Sequence, residues 1–289
     1  MDLGPIGIWS AALRYGHRAE AGAAAHELEQ LGFGALWVPG GAGGDIFDGA
    51  AALLDATTTI PVATGILNLW MHTAAETATG HARLTRAHPD RFLLGIGVSH
   101  APLVDAQEAG RYRAPLAAVR QYLDDLDAAV PPVPVRERAL AALGPRMLAL
   151  ARDRSLGAHP YLVTPEHTHQ ARAVLGDGPL LAPEQAVVLD TDPSAARAVA
   201  RAHLAIYLGL PNYVNNFLRL GFDERDVQDG GSDRLVDGLV AWGDEAAIAR
   251  RVADHHAAGA DHVCVQLLST DLRALDRPGW RTLAAALVP

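Results

Sequence analysis

Arg91-Phe92-Leu93-Leu94-Gly95-Ile96-Gly97-Val98-Ser99-His100 is the stretch on which the fold turns. Its apolar run carries two glycines and ends in a serine and a histidine. A short apolar run of this kind reads as a strand buried in a parallel sheet. Gly95 and Gly97 let a ligand come within touching distance of the backbone. Ser99 and His100 then stand where the strand meets a loop, the place where (β/α)8 barrels carry their chemistry.

On either side of this stretch, strand and helix patterns alternate, the signature of an α/β fold with a parallel sheet. Before it, strands are predicted at 6–9, 35–38 and 61–67, with helices over 18–31, 46–57 and 73–87. Gly32 is placed to end the first of these helices. After it, strands are predicted at 138–143, 157–163, 186–189 and 261–268. Helices are predicted over 115–129, from Pro145, and over 165–175, 194–209 and 278–287. Eight such units in a chain of 289 residues predict a (β/α)8 TIM barrel spanning residues 1–289 as one domain. The long segment 210–256 reads as an insertion between strands seven and eight, plus the usual helix. Its Pro211-Asn212-Tyr213-Val214-Asn215-Asn216 is expected to lie between helices and to shape a substrate pocket.

Composition narrows the chemistry. Hydrophobic residues make up 49% and charged residues 20%, as in a globular protein with a substantial core. The net charge of −9 argues against nucleic acid and against an anionic membrane surface. No apolar run is long enough to span a bilayer, and no secretory signal is visible. One cysteine, Cys264, excludes an internal disulfide framework. These features lead us to expect a cytoplasmic protein. All 24 basic residues are arginines. Schiff-base, pyridoxal and P-loop chemistry each need a lysine and are therefore excluded.

Several sites stand out. Leu143-Gly144-Pro145-Arg146-Met147 lies at a strand-to-helix transition, where free amides and the helix dipole favour a phosphate. Arg146 can add a charge-assisted bond. His100 can move a proton near neutral pH. His159 and Tyr161 end the sixth strand. His167 and His169 form an HxH pair, but they follow the helix-start residues Thr164-Pro165-Glu166, so no metal site is expected. His255-His256, on a polar helix, is expected to be solvated.

These residues bear a resemblance. Ala35-Leu36-Trp37-Val38-Pro39, Ala63-Thr64-Gly65-Ile66, Phe92 to Pro102, Ala141 to Met147 and Ala258 to Val263 occur in the order and spacing of a known group. The chain resembles the luciferase-like superfamily, in particular actinobacterial oxidoreductases that use the deazaflavin coenzyme F420. The resemblance implies hydride transfer between that coenzyme and a small organic substrate, in a homodimer. It implies a non-proline cis peptide at Gly65-Ile66, in a bulge beneath the cofactor ring. It places Asn68 near the ring's pyrimidine edge. Gly97, Val98, Ser99, His100 and His159 then join the cofactor site, with Gly144, Pro145, Arg146 and Met147 on the phosphate. In related sugar-phosphate dehydrogenases a glutamate at the position of His100 gives the proton, and His100 is the catalytic candidate here.

Departures are also visible. Gly40-Gly41-Ala42-Gly43-Gly44 replaces an acidic residue and a histidine found after the second strand in relatives, which implies a mobile or open second loop. An Arg-Asp-Pro type sequence often seen after the third strand in relatives is replaced by Met71-His72-Thr73, and His72 is a candidate to compensate for it in part. The alternatives are an FMN-dependent monooxygenase of luciferase type and a non-catalytic deazaflavin- or flavin-binding protein.

Overall fold

The computed structural model describes residues 1–41, 43–271 and 273–288. Its strands are β1 (Ile6–Trp9), β2 (Ala35–Gly40), β3 (Val62–Asn68), β4 (Phe92–Gly97), β5 (Arg138–Leu140), β6 (Gly157–Ala158), β7 (Leu180–Leu181), β8 (Glu184–Val188), β9 (Val240–Trp242) and β10 (Val263–Leu267). They form one parallel sheet in the order β7-β6-β5-β4-β3-β2-β1-β10-β8-β9. β7 and β8 are two parts of one run broken at Pro183. Along it, Ala182 N–H donates to Ala158 O (2.9 Å) and Glu184 N–H donates to Pro160 O (2.8 Å). On the other side Cys264 N–H donates to Pro183 O (3.0 Å). The run thus joins the β6 and β10 limbs of a curled sheet.

The core has two principal layers. Between sheet and helices, strand residues such as Leu36, Phe92 and Val263 pack on Leu28, Leu54 and Leu283 from the helices. This placement follows from the 3.6-residue and 2-residue periods of the two element types. Inside the curl, Trp9 and Trp37 fill the space, and Ala35, Ala63 and Ala139 leave room for them. Trp37 Nε1–H donates to His262 Nε2 at 3.0 Å, and Gly7 admits that imidazole, since a Cβ there would lie 2.5 Å from His262 Nε2.

Helix starts follow the chemistry of their caps. Thr73 forms a capping box with Glu76 ahead of Ala74–Ala87. Asp192 caps Pro193–Leu208, and Thr164 caps Pro165–Leu175. Among the described residues no helix is long and apolar enough to cross a membrane.

Three expectations change. The Pro211 to Asn216 stretch is a helix, Pro211–Arg219, with Pro211 in its first turn and Tyr213 and Phe217 buried one turn apart. Segment 210–256 also holds a strand, β9, paired with β8. His255 is fully buried, with Nε2 2.9 Å from Gln185 Oε1 and Nδ1 2.8 Å from Thr168 Oγ1. The polar look of its helix hid a face packed on two other elements.

Candidate active site

The site is built around an irregularity in β3. The Gly65–Ile66 peptide is cis, as the resemblance implies. The registers of β2 with β3 and of β3 with β4 both shift there. Glycines on the flanking strands make this possible. A Cβ at Gly40 would run into the Ile66 carbonyl, and one at Gly95 into the Thr64 carbonyl. A Cβ at Gly97 would lie 2.7 Å from Ile66 Cδ1. The room left by Gly95 and Gly97 is thus taken by the bulge of the next strand, rather than by a ligand. Gly97 does not line the cavity above.

That cavity encloses about 750 Å³, within the range of cofactor and substrate pockets. Gly65, Ile66 and Asn68 form one wall, with Val98, Ser99 and His100 beside them. Asn68 Oδ1 accepts the Trp70 N–H (3.1 Å), so half of its amide shapes its own turn. Trp70 donates Nε1–H to Val98 O (2.8 Å) and ties the loop after β3 to the loop after β4. Ser99 adopts φ +56°, which turns the chain sharply at the end of β4. His100 follows, directly before the short helix Ala101–Asp105. Its Nδ1 is 3.3 Å from Asn212 Oδ1 and its ring centroid 5.4 Å from that of Tyr213. An amide oxygen accepts, so Nδ1 carries the proton and Nε2 is left as a base. Desolvation lowers the His100 pKa below its ordinary value.

The opposite end is cationic. Gly144 precedes the helix Pro145–Arg154, and Arg146 and Arg219 line the cavity beside it. A Cβ at Gly144 would lie 3.3 Å from an Arg219 guanidinium nitrogen. Arg219 is held by Asn216 Oδ1, which accepts from it at 2.9 Å. Met147 lines the cavity, but its N–H is already donated to Gly144 O (3.0 Å) and is not free for an anion. Pro145 turns the chain without lining the cavity. No carboxylate lies among the described lining residues.

The third wall comes from the end of β6 and from the segment after β8. His159, Tyr161, Tyr207 and Tyr213 line it, with Trp9 from β1. Tyr207 O–H donates to Tyr161 Oη (3.0 Å), and Tyr161 O–H donates to Gln266 Oε1 (2.7 Å). Beneath them lies Glu184, fully buried. Its Oε2 accepts the Leu162 N–H (2.9 Å) and holds a left-handed turn of φ +56° that presents Tyr161. Burial pushes the Glu184 carboxyl up to about 8.

The structure thus brings Gly65, Ile66, Asn68, Val98, Ser99, His100, Gly144, Arg146, Met147 and His159 to one cavity. His72 does not join them; it packs edge-on against Phe47. The described part of the glycine loop is pinned rather than open: Arg14 donates to Pro39 O and to Gly44 O, the latter at 2.9 Å. Ala42 lies outside the described residues. Sequence reasoning missed Trp9, Tyr207, Glu184 and Arg219. Arg219 was within reach, because Asn212, Asn215 and Arg219 recur at helical spacing on one face.

The profile of the luciferase-like monooxygenase family matches residues 5–262. A Mycobacterium tuberculosis protein, provisionally named a coenzyme F420-dependent oxidoreductase, is 24% identical over 92% of this chain and 94% of its own. Among solved structures, the coenzyme F420-dependent tetrahydromethanopterin reductase of Methanopyrus kandleri superposes with a TM-score of 0.78 at 16% identity, covering 99% of each chain. An F420-dependent secondary alcohol dehydrogenase, solved with an F420-acetone adduct, superposes with a TM-score of 0.77 at 14% identity, covering 98% of each chain. The chain belongs to the luciferase-like monooxygenase family.

Proposed function

We propose that this chain is an F420-dependent oxidoreductase that transfers a hydride between the deazaflavin and a small uncharged organic substrate. The observation that carries this reading is one continuous cavity. It runs from a helix N-terminus with two arginines to the cis peptide of β3 and on to an aromatic wall. The residues present fit the coenzyme. Gly144, Arg146 and Arg219 suit its phosphate. Gly65, Ile66 and Asn68 of the β3 bulge offer a cavity wall against which a flat ring can lie. The fold is read as a (β/α)8 barrel of one domain with an insertion between its seventh and eighth barrel strands. It acts as a homodimer in the cytoplasm, and a monomer mass by light scattering at micromolar concentration would contradict that assembly.

When bound, the coenzyme supplies two-electron hydride chemistry. The protein supplies position, exclusion of water and a proton path. Hydride loss from an alcohol carbon must be matched by proton loss from its oxygen. His100 Nε2, free and neutral while Asn212 holds Nδ1–H, accepts that proton. A lowered pKa keeps it in the basic form at neutral pH, which favours the oxidative direction. Tyr161, Tyr207 and Tyr213 form the substrate wall, and their burial keeps the phenols neutral. With no cation on that wall among the described residues, an uncharged substrate fits better than a sugar phosphate. Fluorescence titration with F420 and with FMN tests the reading. Tighter binding of FMN would move the chain to the flavin-dependent monooxygenase branch of its family. Tight F420 binding without turnover of any alcohol or carbonyl compound would leave it a carrier.

A further inference from the structure

Behind the aromatic wall lies a second hollow of about 110 Å³, room for several water molecules. Ala202, His203 and Ile206 border it from the helix Pro193–Leu208, and Gln266 and Leu267 from the end of β10. Ile206 is 62% exposed, so that side of the hollow faces solvent. Three described residues, Trp9, Tyr161 and Tyr207, line both this hollow and the main cavity. These three side chains form the partition where the two spaces meet. The ring centroids of Trp9 and Tyr161 are 5.6 Å apart, and those of Tyr161 and Tyr207 5.5 Å.

The members of the partition are not equally fixed. Trp9 is buried in β1 and donates Nε1–H to Gly65 O (3.1 Å). Tyr161 donates its O–H to Gln266 Oε1 (2.7 Å), and His203 Nε2 lies 3.4 Å from the same oxygen. Tyr207 stands at the last turn of its helix and is half-buried. Among the described residues its hydroxyl has one partner, Tyr161 Oη at 3.0 Å. Toward the cavity the partition offers ring surface, which suits an alkyl chain. We propose that the Tyr207 ring is the stop that sets substrate length: it closes the cavity at the aromatic wall, so that short-chain alcohols and the matching carbonyl compounds fit, while longer chains would have to pass into the hollow. This rests on the oxidoreductase reading above and adds to it a length limit and the residue that imposes it.

Affinities of a 2-alkanol series, from 2-propanol to 2-octanol, are measured by titration calorimetry on F420-saturated protein. In wild type each added methylene should strengthen binding about fourfold until the chain meets the ring, and binding should then level off or weaken. In Tyr207→Ala the rise should continue for about two to four further carbons, as the chain enters the hollow. Tyr207→Phe keeps the ring and should stop at the wild-type length. Tyr207→Leu, a milder change, serves if the Ala variant melts too low to titrate, and its break should also come later than in wild type. The same break in wild type and in the Ala and Leu variants would overturn the proposal. So would a Phe variant that behaves like Ala, or the absence of alkanol binding from every form. The passage is also read without cofactor. In crystals of Tyr207→Ala under xenon pressure, xenon should occupy the gap left by the ring, and wild type should hold none there. A gap closed by its neighbours would overturn the proposal as well. Xenon in the gap of a protein that binds no F420 would instead sink the oxidoreductase reading and leave Tyr207 as the stop of a cavity for another ligand.

Discussion

Gly40 on β2 lies directly against the carbonyl of Ile66 on β3, so closely that a Cβ at position 40 would collide with that oxygen. The bulge that shapes the cavity and the glycine that replaces the family's side chains after the second strand are thus one feature. Gly40→Ala must push the Ile66 carbonyl away. We expect a stability loss of about 1–3 kcal/mol, the usual cost of overpacking. Cofactor affinity should fall as well. Thermal melts and a cofactor titration check both; an unaltered affinity would show that the bulge does not support the ring.

The anion end is tested by charge. Arg219→Glu places a carboxylate beside Gly144, and Gly144→Glu blocks the same place. Each should weaken F420 binding at least about tenfold, or roughly 1.4 kcal/mol. The same deazaflavin without its phosphate should bind wild type and variants alike. If the phosphate-free compound loses as much affinity, the two residues act on the ring and not on the phosphate.

Much of this arrangement was legible in the sequence. The Phe92–Gly97 strand, the cis peptide position and the Gly144-Pro145 helix start all depend on local patterns or on residues that the resemblance carries. What was not legible depends on contacts between distant segments. Glu184 reads as an ordinary polar residue, and only the curl of the sheet shows it buried under Tyr161. His255 sits on a helix with charged neighbours, yet it faces Gln185 and Thr168, far away in the chain. The strand β9 is too short and too flanked by helix patterns to stand out. That Gly97 abuts Ile66 and does not line the cavity was not legible either, because a glycine signals close approach without saying of what.

Glu184 makes stability depend on pH. Its carboxyl titrates near 8 in the folded protein, against an ordinary value of 4.5. Between those values the folded state keeps a proton that the unfolded state has lost, so stability falls as pH rises from about 4.5 to about 8. Glu184→Gln keeps an acceptor for Leu162 N–H and cannot ionise. The variant should be more stable than wild type at pH 8, by on the order of 1–3 kcal/mol, with the gap closing toward pH 4.5. Denaturant unfolding across this range measures it; parallel curves would show that Glu184 ionises normally.

His100 is tested in turnover, with whichever secondary alcohol of a small panel is oxidised. His100→Ala should lower turnover by about 10²–10⁴-fold and change cofactor affinity far less. His100→Gln keeps a hydrogen-bonding group but cannot take a proton, so it should be nearly as slow. Wild-type turnover should fall as pH drops through a pKa below 6.5, because protonation removes the base. Neither variant should retain that limb. A fully active Gln enzyme would take His100 out of the proton path.

We propose that one cavity holds a deazaflavin by its phosphate at Gly144, Arg146 and Arg219 and by its ring at the β3 bulge. The most direct measurement is a paired equilibrium titration of the purified chain with F420 and with FMN, followed by fluorescence. Saturable F420 binding at least about tenfold tighter than FMN is the expected result. FMN binding as tight as or tighter than F420, or no saturable binding of F420, would contradict it.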